Sequence, residues 1–290
     1  MRVLVTGGAG FVGTNLIKRL LSEGHKVVSL DNYSTGLREN EIEQKGVQYF
    51  DVDLTETVNY DFFISKPDLL FHLAAIARIQ PSFKHPVYTH HANVTATLNV
   101  LEWARGFGCP IVFAGSSSSN GDKFANPYTL SKSLSEQLVE LYNKVYDLPT
   151  AICRFYNVYG PHQLTEGKYC TLIGIFQTLY KEGRPLTITD DGEQRRDFTH
   201  VDDIVDGLIR CGESIHEVSG ELFELGRGKN YSVNEIAEAF GENYPTIHID
   251  GKQGEMRETL CEDENANELL GWNPSLDVLD FIKENYVLDK

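Results

Sequence analysis

The sequence Arg2-Val-Leu-Val-Thr-Gly-Gly-Ala-Gly-Phe-Val-Gly13 decides the fold, because a short apolar strand runs directly into glycines at positions 7, 10 and 13. Apolar residues then recur at helical spacing over residues 11–21. A glycine turn between a strand and a helix leaves backbone N–H groups free to bind an anion, and the missing side chains let that anion come close. The stretch therefore predicts a dinucleotide-binding turn. Its expected contact residues are Gly7, Gly10, Phe11 and Val12.

The second predicted strand indicates which dinucleotide binds. It covers residues 25–30 and ends at Asp31, which is followed by Asn32. A carboxylate roughly 20 residues beyond the glycines accepts a hydrogen bond from a ribose 2′-hydroxyl and repels a 2′-phosphate. We therefore expect Asp31 and Asn32 at the adenosine ribose of NAD, which is favoured over NADP. The alternative is that Asp31 is a solvated residue of the turn 31–36.

Composition limits the possible partners. The chain has 290 residues, 41% of them hydrophobic, and a formal net charge of −16 with no stripe of basic residues. Such a chain can bury a large core, and its charge disfavours nucleic acid or an anionic membrane as a partner. The five cysteines are scattered without disulfide or metal-ligand spacing, and the sequence contains no signal-peptide pattern or membrane-spanning run. We expect a cytoplasmic protein with reduced thiols and no metal site.

Strand and helix patterns alternate through the first half of the chain. The expected strands lie near 2–6, 26–30, 47–50, 68–72, 110–114 and 149–155, and the expected helices near 11–23, 86–106 and 127–146. This order predicts an α/β fold, a doubly wound parallel sheet (Rossmann) that binds NAD over residues 1–160. Residues 161–290 are expected to form a smaller α/β substrate lobe, with elements near 198–215 returning to the first domain. Its expected helices lie near 169–183, 202–211, 232–240 and 276–286, and its strands near 186–189 and 221–225.

Two segments carry groups suited to proton transfer. Tyr128 and Lys132 are four residues apart, hence on one face of the helix predicted after Pro127. A lysine beside a phenol stabilises the phenolate and lowers the pKa of the tyrosine. The serine run 116–119 follows the strand 110–114, at the edge of the sheet where ligands of doubly wound folds bind. Ser116, Tyr128 and Lys132 are the expected catalytic residues, although a surface stripe and a plain loop are the alternatives.

Together these motifs resemble the extended short-chain dehydrogenases/reductases, specifically the NAD-dependent sugar epimerase/dehydratase family. The resemblance covers nearly the whole chain. The segments that carry it are the glycine turn, Phe71–Ala75, the serine run, Tyr128–Lys132, Arg154–Pro161, Pro185–Ile188, Arg196–Asp203, Gly254–Arg257 and Glu268–Trp272.

The resemblance implies further binding residues. On the cofactor side it implies Asp53 and Leu54 near the adenine, Leu73, Ala74 and Ala75 near the phosphates and ribose, and Asn93 beneath the active site, with Tyr128 and Lys132 also at the cofactor. On the substrate side it implies Ser116, Asn157, Thr171, Thr189, Arg196, Arg257, Thr259 and Glu262. Asn157, Arg196 and Arg257 are expected to hold a nucleotide-sugar diphosphate, since arginine suits bidentate phosphate binding. The alternative for the two arginines is a structural ion pair with a neighbouring carboxylate.

The resemblance also bears on the reaction. Dehydratases and decarboxylases of the family carry an acidic residue just after the strand-end Ser or Thr, whereas the run 115–120 contains none. The segment 31–36 resembles the corresponding loop of UDP-hexose 4-epimerases. The favoured function is therefore an NAD-dependent isomerase that interconverts UDP-hexoses at C4 through a transient 4-keto sugar. A 4,6-dehydratase or decarboxylase, and a non-catalytic NAD-binding protein, are the alternatives. A homodimer formed by the helices 86–106 and 127–146 is implied by resemblance only.

Three departures from the family pattern leave the sugar and the base open. The loop 119–127 is shortened, Thr189 stands where an aromatic residue usually stacks near the base, and Glu262 replaces the usual aspartate near the nucleotide ribose. Thr259 lies where relatives contact the C2 substituent of the sugar. Because threonine is small, an N-acetyl group is expected to fit there.

Overall fold

The computed structural model of the protein describes residues 1–56, 66–251 and 253–287. Within these residues, seven parallel strands form one sheet with the order β3-β2-β1-β4-β5-β6-β9. The strands of the structure are β1 (Arg2–Thr6), β2 (Lys26–Asp31), β3 (Val47–Asp51), β4 (Leu69–His72), β5 (Ile111–Ser116), β6 (Thr150–Phe155), β7 (Leu186–Thr189), β8 (Arg195–Asp197), β9 (Leu222–Leu225), β10 (Asn230–Ser232) and β11 (Thr246–Ile249). The doubly wound α/β fold expected from the sequence is confirmed. The order reverses between β1 and β4, the switch point where such sheets bind ligands.

Helices cover both faces of this sheet. They are α1 (Phe11–Ser22), α2 (Ile79–Lys84), α3 (Pro86–His90), α4 (Ala96–Phe107), α5 (Pro127–Tyr146), α6 (Leu172–Lys181), α7 (Val201–Glu213), α8 (Val233–Ala239), α9 (Asn265–Leu270) and α10 (Val278–Ile282). Side chains of α1 and α7 join one apolar core against the sheet, and side chains of α4 and α5 join the other. The core strands are buried on both faces, which explains their continuous apolar sequences.

The segment expected to be one helix over 86–106 contains a local change of winding. A π-helical turn, His91–Thr95, separates α3 from α4 without ending the helical run. This turn contains the buried Asn93, whose side chain binds the neighbouring backbone rather than solvent. Such turns occur frequently at functional sites.

A second, smaller group of elements packs at one end of the sheet. β11 pairs in parallel with β7, β10 pairs antiparallel with β8, and α6, α8 and α10 surround a separate apolar core. The strands β8, β10 and β11 are three or four residues long and too short to show a sequence period. The sequence also placed 221–225 in this lobe, whereas β9 lies at the edge of the large sheet, parallel to β6. Within the described residues, no helix has the length and apolar character needed to cross a bilayer.

One buried histidine predicts how stability depends on pH. His72 at the end of β4 is bonded to Thr6 Oγ1 at 2.7 Å and Thr97 Oγ1 at 3.0 Å, and burial lowers its pKa to about 3. The unfolded chain takes up the proton near pH 6.5, and the folded chain does not. The stabilising effect is therefore complete above pH 6.5 and is lost as pH falls towards the folded pKa.

We expect the free energy of unfolding to fall by roughly 2 kcal/mol more between pH 7 and pH 5 in the wild type than in His72→Gln. Glutamine keeps a hydrogen-bonding side chain but does not titrate. Urea unfolding of both proteins at the two pH values measures the difference. Parallel pH curves for the two proteins would show that His72 is not the group responsible.

Candidate active site

The glycine turn forms a cradle that fits a pyrophosphate. A Cβ added at Gly13 would lie 2.2 Å from the Gly7 carbonyl oxygen, and Gly7 has φ +72°, which favours glycine. Gly10 precedes the first turn of α1 and no side chain caps that helix. The N–H groups at the start of α1, which have no carbonyl partner within the helix, together with the helix dipole, suit the phosphates of NAD. The residues present therefore fit this cofactor.

Backbone hydrogen bonds fix the side chain of Asp31 at the end of β2. Its carboxylate accepts hydrogen bonds from the backbone N–H of Ala9 at 3.0 Å and of Tyr33 at 2.8 Å. Burial raises the pKa of Asp31, and these two bonds act against that shift. A Cβ at Gly36 would lie 2.8 Å from the carboxylate, so the loop can pass there only as glycine. The side chain lines the cavity described below, in the position expected for a ribose contact.

Asp31→Ala is expected to weaken NAD binding by about 10-fold and to reduce the preference for NAD over NADP, because it removes both the acceptor and the repelling charge. Titration of the two cofactors into the protein by calorimetry measures the effect. Asp51→Ala, at the end of the neighbouring strand β3, is a matched control that removes a carboxylate outside the cavity lining. A wild-type preference for NADP would contradict the assignment.

One cavity of about 1350 Å³ joins the cradle to the rest of the predicted site. The cofactor-side residues that line it are Gly7, Gly10, Phe11, Val12, Asp31, Asn32, Asp53, Leu54, Leu73, Ala74 and Ala75. Ser116, Tyr128 and Lys132 also line it, as do the substrate-side residues Asn157, Thr171, Thr189, Arg196 and Thr259. Residues as far apart in the sequence as Gly7 and Thr259 thus line one cavity.

The three expected catalytic side chains lie near the end of β5 and the start of α5. The Tyr128 hydroxyl donates a hydrogen bond to Ser116 Oγ at 3.2 Å. Lys132 lies one turn further along α5, and its Nζ donates to the Ala114 carbonyl at 2.5 Å. Asn126 caps the helix by accepting from the Thr129 N–H at 2.8 Å, so the first turn carrying Tyr128 is fixed.

The pKa of Tyr128 differs from the sequence-based expectation that Lys132 lowers it. Burial raises the pKa of Tyr128, although the Ser116 hydroxyl and the positive charge of Arg78 act in the opposite direction. Burial also lowers the pKa of Lys132 to about 8. Lys132 binds a backbone carbonyl rather than the phenol in this structure. In this structure the lysine therefore does not lower the tyrosine pKa, and bound NAD would add the positive charge of its nicotinamide.

Asn93 supports the site from below. Its side chain accepts from the Ile76 N–H at 2.7 Å and donates to Ser131 Oγ at 2.8 Å. It therefore ties the loop after β4 to the face of α5 next to Tyr128. It is buried and does not line the cavity, so its role at the cofactor stays a prediction.

An ion-pair network stands behind Ser116. Glu136 accepts from the Ser116 N–H at 3.2 Å and from Ser119 Oγ at 3.2 Å. Arg154 pairs with Glu136 at 2.7 Å and with Glu224 at 3.0 Å. The sequence analysis did not single out Glu136, although its position four residues after Lys132 on the same helix face was a usable signal.

The substrate-side predictions divide into two groups. Asn157 Nδ2 donates to Thr259 Oγ1 at 3.1 Å, and Arg196 is half-buried beside them in the cavity wall. Arg257 instead forms an exposed ion pair with Asp191 at 2.9 Å, and it and the exposed Glu262 are outside the cavity lining. In this structure Arg257 therefore forms a structural ion pair, which is the alternative stated above, and its partner is Asp191. Its role at the diphosphate, and that of Glu262 at the ribose, remain predictions.

Several residues of the cavity wall were not assigned to the site by the sequence analysis, among them Arg78, Glu255 and Met256. Arg78 lies just beyond the segment Phe71–Ala75, and the charge of a residue so close to a recognised motif was a usable signal. Met256 Cε would lie 3.2 Å from a Cβ at Gly121, so the shortened loop 119–127 contacts the segment that contains Arg257.

Comparison with known proteins agrees with this geometry. The NAD dependent epimerase/dehydratase family matches residues 3–226. A UDP-glucose 4-epimerase of Mycolicibacterium smegmatis is 33% identical over 95% of this chain and 94% of its own length. A UDP-glucuronic acid decarboxylase of Arabidopsis thaliana is 30% identical over 95% of this chain and 66% of its own length. The structure of a Thermotoga maritima UDP-glucose 4-epimerase with UDP-glucose has a TM-score of 0.90 at 27% identity, covering 98% of this chain and 96% of the other.

The fold and the site thus define an NAD-binding enzyme of the extended short-chain dehydrogenase/reductase type. The chain belongs to the NAD-dependent epimerase/dehydratase family.

Proposed function

We propose that this protein is an NAD-dependent UDP-sugar 4-epimerase, which interconverts UDP-hexoses at C4. The observation that carries the proposal is the single cavity that joins the glycine cradle, the bonded pair Tyr128 and Ser116, and Arg196. The relatives that match this chain include UDP-glucose 4-epimerases, which favours UDP as the nucleotide of the substrate.

The residues of the chain have distinct tasks in this reaction. NAD, when bound, accepts a hydride from the sugar and returns it. Tyr128 takes the proton of the C4 hydroxyl and later gives it back, and Ser116 positions the reacting oxygen through its own hydroxyl. Lys132 adds positive charge beside the phenol, and its bond to Ala114 holds it in place. Arg196 and Asn157 hold the diphosphate while the sugar turns over.

The pairing and position of the buried carboxylate Glu136 favour an epimerase over the dehydratases and decarboxylases of the same family. Loss of water or CO2 needs acid or base assistance beyond the tyrosine. Glu136 is the buried carboxylate behind Ser116, but it is paired with Arg154 and does not line the cavity. A carboxylate held in this way supports the backbone of Ser116 and does not face a substrate. Because a UDP-glucuronic acid decarboxylase is among the matching relatives, decarboxylation is the second candidate activity.

A panel of UDP-sugars tests the proposal. Purified protein is incubated with UDP-glucose, UDP-glucuronate and UDP-N-acetylglucosamine, and the products are separated by chromatography and mass. An epimerase changes the retention time and keeps the mass, a dehydratase loses water, and a decarboxylase loses CO2. Turnover of UDP-N-acetylglucosamine also tests the space expected at Thr259. No change in any of these sugars would favour the non-catalytic alternative.

The assembly and location form a separate part of the proposal. Helices α4 and α5 expose several apolar side chains, namely Leu98, Leu141, Val145 and Tyr146. Such a patch is suited to burial against a second copy of the chain, which supports the homodimer implied by the resemblance. The free cysteines support a cytoplasmic location. Light scattering of the purified protein measures the mass, and a monomer would contradict the dimer.

A further inference from the structure

A positively charged side chain without an assigned task lines the cavity near Tyr128. Arg78 flanks the N-terminus of α2, is half-buried, and lines the cavity. Its Nε donates to the Tyr169 carbonyl at 2.7 Å, which fixes the direction of the side chain. Ser82 of the same helix accepts from the Tyr128 N–H at 3.1 Å. The helix that begins after Arg78 is therefore attached to the turn that carries the catalytic tyrosine.

The charge of Arg78 is poorly compensated. Among the described residues it forms no ion pair within 4.0 Å. The titratable groups that face it are Tyr128, Cys170 and Glu255. Glu255 is exposed, and burial lowers the pKa of the Arg78 guanidinium despite that carboxylate. In a chain with 42 acidic and 26 basic residues, a partly buried arginine without a bonded carboxylate is suited to an anion from a ligand.

Four further lysine or arginine residues line the cavity, namely Lys84, Lys132, Lys168 and Arg196. The phosphates of NAD belong to the glycine cradle, and the diphosphate of the substrate belongs to Arg196 and Asn157. Lys132 has the role of adding positive charge beside the phenol of Tyr128. Lys84 and Lys168 are exposed, whereas Arg78 is partly buried and close enough to Tyr128 for their charges to interact. Arg78 is thus the unassigned cation nearest to the position of C4, and the next ring carbon, C5, bears the C6 group.

We propose that Arg78 is a specificity-determining residue that binds a carboxylate at C6, so that the preferred substrate is a UDP-hexuronic acid. This inference rests on the proposed function, because it names the sugar for the same cavity. A guanidinium binds a carboxylate through two parallel N–H···O bonds, whereas a neutral hydroxymethyl group leaves those donors poorly paired.

The same contact protects the product. During turnover the C4 hydroxyl would give its proton to Tyr128 and take it back, bound NAD would supply the acceptor and donor for the hydride of the C4–H bond, and the C5–C6 bond stays intact. The 4-keto form of a hexuronic acid is a β-keto acid, which loses CO2 when the electrons of its carboxylate flow into the ring. A bidentate ion pair with Arg78 stabilises the carboxylate charge and opposes that loss.

The test compares UDP-glucuronate with UDP-glucose. The wild type is expected to have the higher kcat/KM for UDP-glucuronate. Arg78→Met is expected to lower that value by about 10- to 100-fold and to change the value for UDP-glucose by less than about 3-fold. Arg78→Lys should recover only part of the loss, because it keeps the charge without the planar fork. Arg184→Met removes the same group from an exposed position outside the cavity lining and is expected to leave the ratio of the two substrates unchanged.

Binding measurements separate failure of the inference from failure of the proposed function. Both UDP-sugars are titrated by calorimetry into Tyr128→Phe protein with and without Arg78→Met. A selective loss of UDP-glucuronate affinity supports the role of Arg78 even if no sugar is epimerised, in which case only the proposed function fails. Equal losses for both sugars, or a wild type that prefers UDP-glucose, overturn the inference. A shifted pH profile with an unchanged substrate ratio also overturns it, because Arg78 would then act on Tyr128.

Discussion

Replacing Tyr128 by phenylalanine is expected to lower UDP-hexose turnover by at least about 10²-fold, because the group that exchanges the C4 proton is removed. The ring remains and continues to pack in the cavity wall. NAD binding is therefore expected to change by less than about 3-fold, since the cradle and Asp31 are untouched. Initial rates on the preferred UDP-sugar and calorimetric titration of NAD measure the two quantities.

Tyr142→Phe is the matched control for this prediction. Tyr142 lies on the same helix, and its hydroxyl donates to Glu102 at 2.5 Å, away from the cavity lining. The control removes the same oxygen atom and is expected to keep the wild-type rate. A rate near that of the wild type in Tyr128→Phe would remove this residue from the mechanism.

Replacing Arg154 by methionine is expected to have the largest effect on stability, about 3–5 kcal/mol of the free energy of unfolding. The change leaves Glu136 and Glu224 buried without their shared partner. The packing around the pair is close, because a Cβ at Gly115 would lie 2.8 Å from Glu136 Oε1 and 2.9 Å from Arg154 Cγ. Turnover should fall as well, since Glu136 holds the backbone N–H of Ser116.

Urea unfolding measures this effect, and Arg38→Met provides the comparison. Arg38 forms an ion pair with Asp51 in which both side chains are more than half exposed, so its loss is expected to cost less than about 1 kcal/mol. Similar losses in the two variants would show that burial does not set the value of the Arg154 network.

Much of the fold could be predicted from the sequence because the signals are local. The apolar strand 2–6, the glycines after it and the helical period over 11–21 are properties of one short stretch, and they predict the first βα unit directly. The alternation of such units then predicts a parallel sheet, because parallel strands need crossover connections. Asp31, Tyr128 and Lys132 were found in the same way, since each stands at a set distance from a recognisable turn or helix start.

The remaining features depend on contacts between distant segments, which no local pattern encodes. The sequence does not show that β9 joins the large sheet, since a strand of four residues reveals its neighbour only after folding. It does not show that Lys132 binds Ala114, that Asn157 meets Thr259, or that Arg257 pairs with Asp191 on the surface. The sequence by itself determined the fold class and the cofactor turn, and it placed Tyr128 and Lys132 on one helix face, because these follow from backbone geometry over a few residues. Only the tertiary structure decided which cations line the cavity, because that depends on how α2, α5 and the chain around Tyr169 pack around it.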